Sequence, residues 1–245
     1  MDQDKRLHNQ PPLAVRLSMR SECPYIAGRT EQRVAVDISQ NPALHDQMAR
    51  AGFRRVENWV YKPACPGCNA CIPWRVDTVG FKMGRNLSRI WRSNEDLTRH
   101  IAPITPTAEH FNLFKRYIST RHGDGQMATM NQDEFVSMIE NSPIESVLLN
   151  YMTADGRLIG AVLTDVQSDG LSAVYSFYDP SETKRSLGTY MIMDMIDFAK
   201  ELGLPWLYLG YYVEDSSKMY YKARFQPASV FIDGQWQTYK APQDT

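Results

Sequence analysis

The run SVLLNYMTADGRLIGAVLTDVQSDGLSAVYSFYD, residues 146–179, decides the fold. Its three apolar stretches are rich in β-branched and aromatic residues. They are separated by Asp155-Gly156 and Asp169-Gly170, dipeptides that supply the positive φ a tight hairpin needs. The spacing predicts an antiparallel meander of three strands. Downstream, residues 186–202 carry apolar side chains at helical spacing and stop at Gly203, with Pro205 beyond. WLYLGYY, 206–212, then reads as a strand, and the segment around SSKMYYKA as a short helix. Upstream, AEHFNLFKRYISTRH, 108–122, is a helix with Phe111, Leu113, Phe114 and Ile118 turned inward. Asn131 followed by Glu134 is a capping box opening a second helix ahead of Phe135, Met138 and Ile139.

Two helices, a meander, a long helix, a strand and a short helix form the element order of an N-acetyltransferase-like (GNAT-like) domain. The expected class is α+β with a mixed, mostly antiparallel sheet, an architecture that does not by itself name a function. The prolines and threonines of IAPITPT, 101–107, place the boundary of this domain at 101–245, behind an N-terminal, cysteine-containing domain at 1–100. Within that first part, Val34, Val36 and Ile38 alternate as a half-buried strand does. Asn41 and Pro42 open a short helix carrying Leu44, Met48 and Ala51 and closed by Gly52. FRRVENWVY, 53–61, reads as one strand leading to a cysteine loop, and WRVDTV as another leaving it.

With 245 residues, 43% hydrophobic and 22% charged, the chain can bury a sizeable core. It has no uncharged apolar run of about 18 residues, and its opening MDQDKRLHNQPP is polar, so no membrane span and a cytoplasmic location are expected. The net charge of −1 hides an asymmetry: residues 50–92 hold nine Lys or Arg against Glu57 and Asp77, a surplus of seven positive charges. In MGRNLSRIWRSNEDL, Arg85, Arg89 and Arg92 recur at i, i+4 and i+7 with no acidic residue from 78 to 94, which aligns three guanidinium groups on one helical face beside Trp91. The stripe suits nucleic-acid phosphates and the indole suits a base or sugar; the plainer reading is a solvated face.

CPGCNAC, 65–71, places three of the chain's four cysteines in seven residues, and Cys23 is the fourth. In a reducing compartment such spacing points to zinc or an iron–sulfur cluster on Cys23, Cys65, Cys68 and Cys71, or to a metal-free thiol loop. A catalytic thiol is disfavoured because no histidine lies between 46 and 99. At the start of the long helix, Arg185-Ser186-Leu187-Gly188-Thr189-Tyr190 sits where an acetyl-CoA enzyme needs small residues against a pyrophosphate, and Tyr190 is expected to crowd that place. The run of Met191, Met193, Met195 and Ile196 is helix core. Tyr211 and Tyr212 at a strand end, with Glu214 and Asp215 nearby, could position a substrate and accept a proton, or simply fill the core edge.

Three patches together resemble the aminoacyl-tRNA-protein transferases: CPYIAGRTEQR (23–33), YKPACPGCNACIPWRVD with FKMGRNLSRIWRSN (61–94), and YDPSETKRSLGTYMIMDMI with YLGYYVEDSSKMYYKARFQP (178–196 and 208–227). The short length and three-cysteine loop are most similar to the bacterial branch that transfers leucine to aspartate or glutamate. The resemblance implies transfer of leucine from leucyl-tRNA to the N-terminal α-amine of proteins beginning with Asp or Glu, marking them for degradation, on a GNAT-like domain working without CoA. For that reaction, Tyr211, Tyr212 and Asp215 are expected to line the reaction centre, with Asp215 or Glu214 taking the amine proton. The acceptor's carboxylate needs a cation, expected among Arg29, Lys62, Arg75 and Arg185, with Arg29 and Arg75 first, and Arg85, Arg89 and Arg92 are expected to hold tRNA phosphates. Cys23 and Cys65 match the family's metal-linked cysteines, whereas Cys68 and Cys71 belong to the bacterial loop. No cofactor is obligatory on this reading, since amide formation from an ester needs no Lewis acid. Arginyl transfer, CoA-dependent N-acylation and noncatalytic binding of RNA are the rival readings.

Overall fold

The computed structural model describes residues 13–240 apart from 122 and 124; the polar opening at 1–12 and the expected helix end at 122 lie outside the described residues. Short strands β1 (Val15–Leu17), β2 (Ser21–Glu22), β3 (Thr30–Glu31) and β4 (Arg33–Asp37) precede α1 (Leu44–Arg50), and β5 (Arg54–Val56) and β6 (Trp59–Pro63) follow it. Next come β7 (Ile72–Asp77), α2 (Arg85–Arg92), β8 (Thr98–Ala102), α3 (Ala108–Arg121) and α4 (Gln132–Glu140). The chain ends with β9 (Ser146–Met152), β10 (Leu158–Gln167), β11 (Gly170–Tyr178), α5 (Leu187–Glu201), β12 (Trp206–Tyr212), β13 (Ala228–Ile232) and β14 (Gln235–Thr238). A single 3₁₀ segment, Tyr220–Arg224, stands where the short helix was expected.

β9, β10 and β11 form the antiparallel meander that the two Asp-Gly turns predict, and Asn131 and Glu134 close the capping box of α4 reciprocally. FRRVENWVY is not one strand: Glu57, at φ 49°, turns the chain and makes β5 and β6 a hairpin. The helix after Asn41 starts later than expected, at Leu44, because residues 41–43 form a turn without a side-chain cap.

The main sheet has eight strands in the order β14-β13-β7-β12-β11-β10-β9-β8, mostly antiparallel with one parallel pair, β11 and β12, in an α+β architecture of the N-acetyltransferase-like kind. β8 runs across the expected division at 100/101, and β7 lies between β12 and β13. Trp74, Val76, Phe81, Leu87 and Leu97 therefore share one core with Leu149, Leu171, Met191, Leu207 and Phe225, so the division does not separate two cores. α2 and α5 cover one sheet face; α3 and α4 cover the other over the meander, where Phe114, Phe135 and Phe177 interlock.

Beyond the meander, that second face is covered by a four-stranded sheet, β1-β4-β6-β5, with α1. Gly52 packs so tightly on Pro73 that a Cβ there would stand 2.7 Å from the ring, and Trp236 Nε1 donates to Arg50 O at 2.8 Å. A buried ion pair fastens the two sheets: Arg55 Nε and Nη2 donate to Asp165 Oδ2 and Oδ1 at 2.7 and 2.6 Å, Ser146 Oγ donates to Asp165 Oδ1, and His45 Nε2 lies 3.7 Å from Oδ2. No helix among the described residues is long and apolar enough to cross a membrane.

Candidate active site at the strand fork

The parallel strands β11 and β12 pair only from Gly170 and Trp206 to Ser172 and Tyr208; past that point they have no shared register. Each carries an extra residue there. β11 bulges at Val174 against β10, and β12 bulges at Leu209 against β7, and a bulge bends its strand and raises its twist. Two bent neighbours open into a fork.

An arginine fills the crotch of the fork. Arg54, on β5, donates from Nη2 to the carbonyls of Ala173 and Val174 at 3.0 and 3.2 Å, the groups that β11 cannot offer to β12. Its guanidinium occupies the space where a Cβ on Gly210 would stand, and Gly210 holds φ 75°. Gly210→Ala therefore meets both backbone strain and a clash. It is expected to cost about 2–4 kcal/mol of stability in denaturant unfolding and to displace Arg54, and wild-type unfolding would deny that the arginine is wedged there.

From the far side comes Lys222, on the 3₁₀ turn, only 2% exposed, with its Nζ donating to Tyr211 O. Burial, helped by the nearby Arg54 charge, pushes its pKa down to about 7, while Cys71 pulls it upward. Burial raises the Tyr25 and Tyr211 hydroxyls, with Arg54 opposing in both cases. Tyr221, 40% exposed, stands beside Lys222 on the 3₁₀ turn.

The expected reaction centre is not one cluster. Tyr211 faces the smaller sheet, its hydroxyl sharing its proton between Gly52 O and Tyr61 O, both at 3.0 Å. Tyr212 points to the opposite face, its ring 4.9 Å from Trp74 and 6.0 Å from Tyr239. Glu214 and Asp215 are exposed beyond the strand.

The four acceptor cations also separate. Arg29 is exposed on the Cys23 loop. Lys62 lies near the rings of Phe53 and Phe231. The Arg75 guanidinium is stacked between Trp206 and Trp236, 3.7 and 4.2 Å from their centroids, and bonds Tyr208 Oη at 3.2 Å. Arg185 grips Asp96 bidentately at 2.7 and 2.8 Å and reaches Glu182 at 3.1 Å, tying the entrance of α5 to the chain after α2. Arg75 and Arg185 are thus committed within the protein.

Tyr190 does not project over the start of α5. Its ring is turned into the core, 5.5 Å from Trp91 and 5.9 Å from Tyr151, so Trp91 anchors α2 on α5 rather than standing out among the arginines. The tyrosine that leans on the first turn of α5 is Tyr178, whose ring would meet a Cβ on Gly188 at 3.2 Å. Arg85, Arg89 and Arg92 are exposed on α2, and none makes an ion pair among the described residues.

Cys23, Cys65, Cys68 and Cys71 are all free and half-buried. Burial and the other three thiols together push Cys71 up to about 11, which keeps it protonated at neutral pH. The Gln32 N–H donates to Cys65 Sγ at 3.4 Å. No three His, Cys, Asp or Glu side chains among the described residues stand close enough to hold a metal ion, so in this arrangement the thiols do not fit zinc or a cluster without the loop closing further.

Local sequence did not single out Arg54 or Lys222. The one usable signal was Gly210 inside a strand otherwise made of leucine and aromatic residues, the mark of a close approach.

Sequence profiles of the arginine-tRNA-protein transferases match the chain at residues 21–89 for the N-terminal part and 109–232 for the C-terminal part. An aspartate/glutamate leucyltransferase of Gluconacetobacter diazotrophicus is 47% identical over 216 residues, covering 87% of this chain and 83% of that protein. Another, from Paramagnetospirillum magneticum, is 44% identical over 91% of each chain. In fold alone, the chain is similar to a C-terminal domain ascribed to a lysylphosphatidylglycerol synthetase of Agrobacterium fabrum, with a TM-score of 0.50 and 13% identity over 80% of this chain and 63% of that one.

Proposed function

This chain belongs to the arginine-tRNA-protein transferase family, and on that footing we propose that it transfers leucine from leucyl-tRNA to the α-amine of proteins whose first residue is Asp or Glu. The observation that carries the reading is 47% identity, over 87% of the chain, to a protein named for that reaction. The product is a protein with leucine at its new N-terminus, a mark for degradation in the cytoplasm.

The chemistry is undemanding. The amine nitrogen attacks the ester carbonyl, a C–N bond forms, the C–O bond to the terminal ribose breaks, and the amine proton passes to the departing oxygen. An α-amine with a pKa of about 7.7–8.0 is neutral in appreciable fraction near neutral pH, so no covalent nucleophile is required. Alignment of amine and carbonyl alone is worth about 7–11 kcal/mol in favourable intramolecular cases. Donors aimed at the oxygen on which charge develops would add to this. No step runs through a metal or through CoA, and Arg54 takes two of the backbone carbonyls that an arm lying in the fork would meet.

The test is incubation of the purified protein with radiolabelled leucyl-tRNA or arginyl-tRNA and peptides beginning with Asp, Glu or Ala. Leucine is expected on the Asp and Glu peptides only. Equal labelling of the Ala peptide would remove the acidic selection, and no transfer from either tRNA would overturn the reading.

A further inference from the structure

We propose that Arg54 and Lys222 together bind the side-chain carboxylate of the acceptor's first residue. The inference rests on the leucyl-transfer reading and names the part of the fork that selects Asp and Glu.

Charge balance carries it. Arg55, Arg75, Arg99, Arg116, Arg157 and Arg185 each have a carboxylate within 4 Å; among the described residues, Arg54 and Lys222 have none. The charged group that acts on Lys222 together with burial is Arg54, a like charge. Tyr25, Tyr211 and Tyr221 stand nearby, and burial raises all three hydroxyls, so none of these three is anionic at neutral pH. Two cations held close together without an anion are costly, and a bound carboxylate relieves both the repulsion and the desolvation.

Donor geometry agrees. Among the described residues, Arg54 spends only Nη2 on protein acceptors, leaving Nη1 and Nε to a ligand, and Lys222 spends one of its three N–H groups on Tyr211 O. Arg54, from β5, presses on Gly210, and Lys222, from the 3₁₀ turn, bonds the carbonyl of Tyr211, so the two cations meet β12 at consecutive residues. At 2% exposure Lys222 leaves no room for a polynucleotide phosphate on its bulky backbone, which is better served by the open face of α2; a single carboxylate on a short side chain is the smaller anion. The same reading explains why the acceptor cation is neither Arg75 nor Arg185: each already holds protein partners.

The test compares peptides beginning with Asp and with Asn, and with Glu and with Gln, on the wild type and on Lys222→Met and Arg54→Lys. Leucyl-tRNA affinity is measured separately by anisotropy. Lys222→Met removes a buried charge, so the protein should remain folded by thermal melting. The wild type is expected to favour the acids strongly. Lys222→Met should lower that preference about 100-fold, mostly through the KM of the acidic peptides, and leave tRNA affinity unchanged; Arg54→Lys should do so less, since it keeps the charge and loses the fork. A preference that survives while tRNA affinity falls would reassign the pair to a phosphate. Equal loss of activity on acid and amide peptides would make the pair a structural plug; either result overturns the proposal. Failure of the wild type to label any peptide would instead overturn the leucyl-transfer reading beneath it.

Discussion

Replacing Asp165 with asparagine is expected to destabilise the protein by about 3–5 kcal/mol, because it leaves the Arg55 guanidinium buried without its anion. Asp165 is 0% exposed, and its two oxygens take both N–H groups of the arginine fork, the Ser146 hydroxyl and the approach of His45. Urea unfolding measures the loss, and a change below about 1 kcal/mol would mean that the pair is solvated after all. The clasp also sets an acid limit. Burial lowers the His45 pKa below its ordinary 6.5, with Arg55 adding to the effect and Asp165 and Asp46 opposing it. The folded protein thus binds that proton less readily than the unfolded chain. The contribution to stability is fully present above about pH 6.5 and is lost as pH falls below it toward the depressed folded value. His45→Gln should flatten stability over that window; an unchanged pH profile would exclude the histidine as its source.

Neutralising Arg85, Arg89 and Arg92 together with glutamine is the second large effect. All three are exposed on α2 without carboxylate partners among the described residues. Every phosphate that the helix no longer neutralises should lower the slope of log K against log salt by about 0.7–0.9, so the triple variant should flatten it by about 2–3 and weaken leucyl-tRNA binding about 10–100-fold near 0.1 M salt. Stability should hardly move, since the apolar face of α2, Leu87 and Trp91, is untouched. Wild-type affinity in the triple variant would return the stripe to plain solvent-facing charge.

The meander, the capping box and α5 were legible because each is written locally, in Asp-Gly turns, an Asn–Glu pair and a 3.6-residue rhythm. The place of β7 was not legible: nothing in IPWRVD says that its neighbours in the sheet are Leu207 and Ala228, more than a hundred residues away. The Tyr211–Tyr212 pair misled for a physical reason that the sequence did contain, since adjacent residues on a strand face opposite ways. Arg54 entered only as one charge in a regional surplus and Lys222 not at all, because counting charge says nothing about depth. Only Gly210 hinted that something presses against β12, and it could not say what.

The position of β7 also bears on how the protein is made. During synthesis β7 leaves the ribosome long before β12 and β13, so both edges of a strand with a fully buried Trp74 stay unpaired until the last part of the chain emerges. Such long-range pairing slows folding and exposes sticky backbone meanwhile. Nascent chains halted before residue 206 should therefore depend on chaperones, and the first hundred residues expressed alone should aggregate.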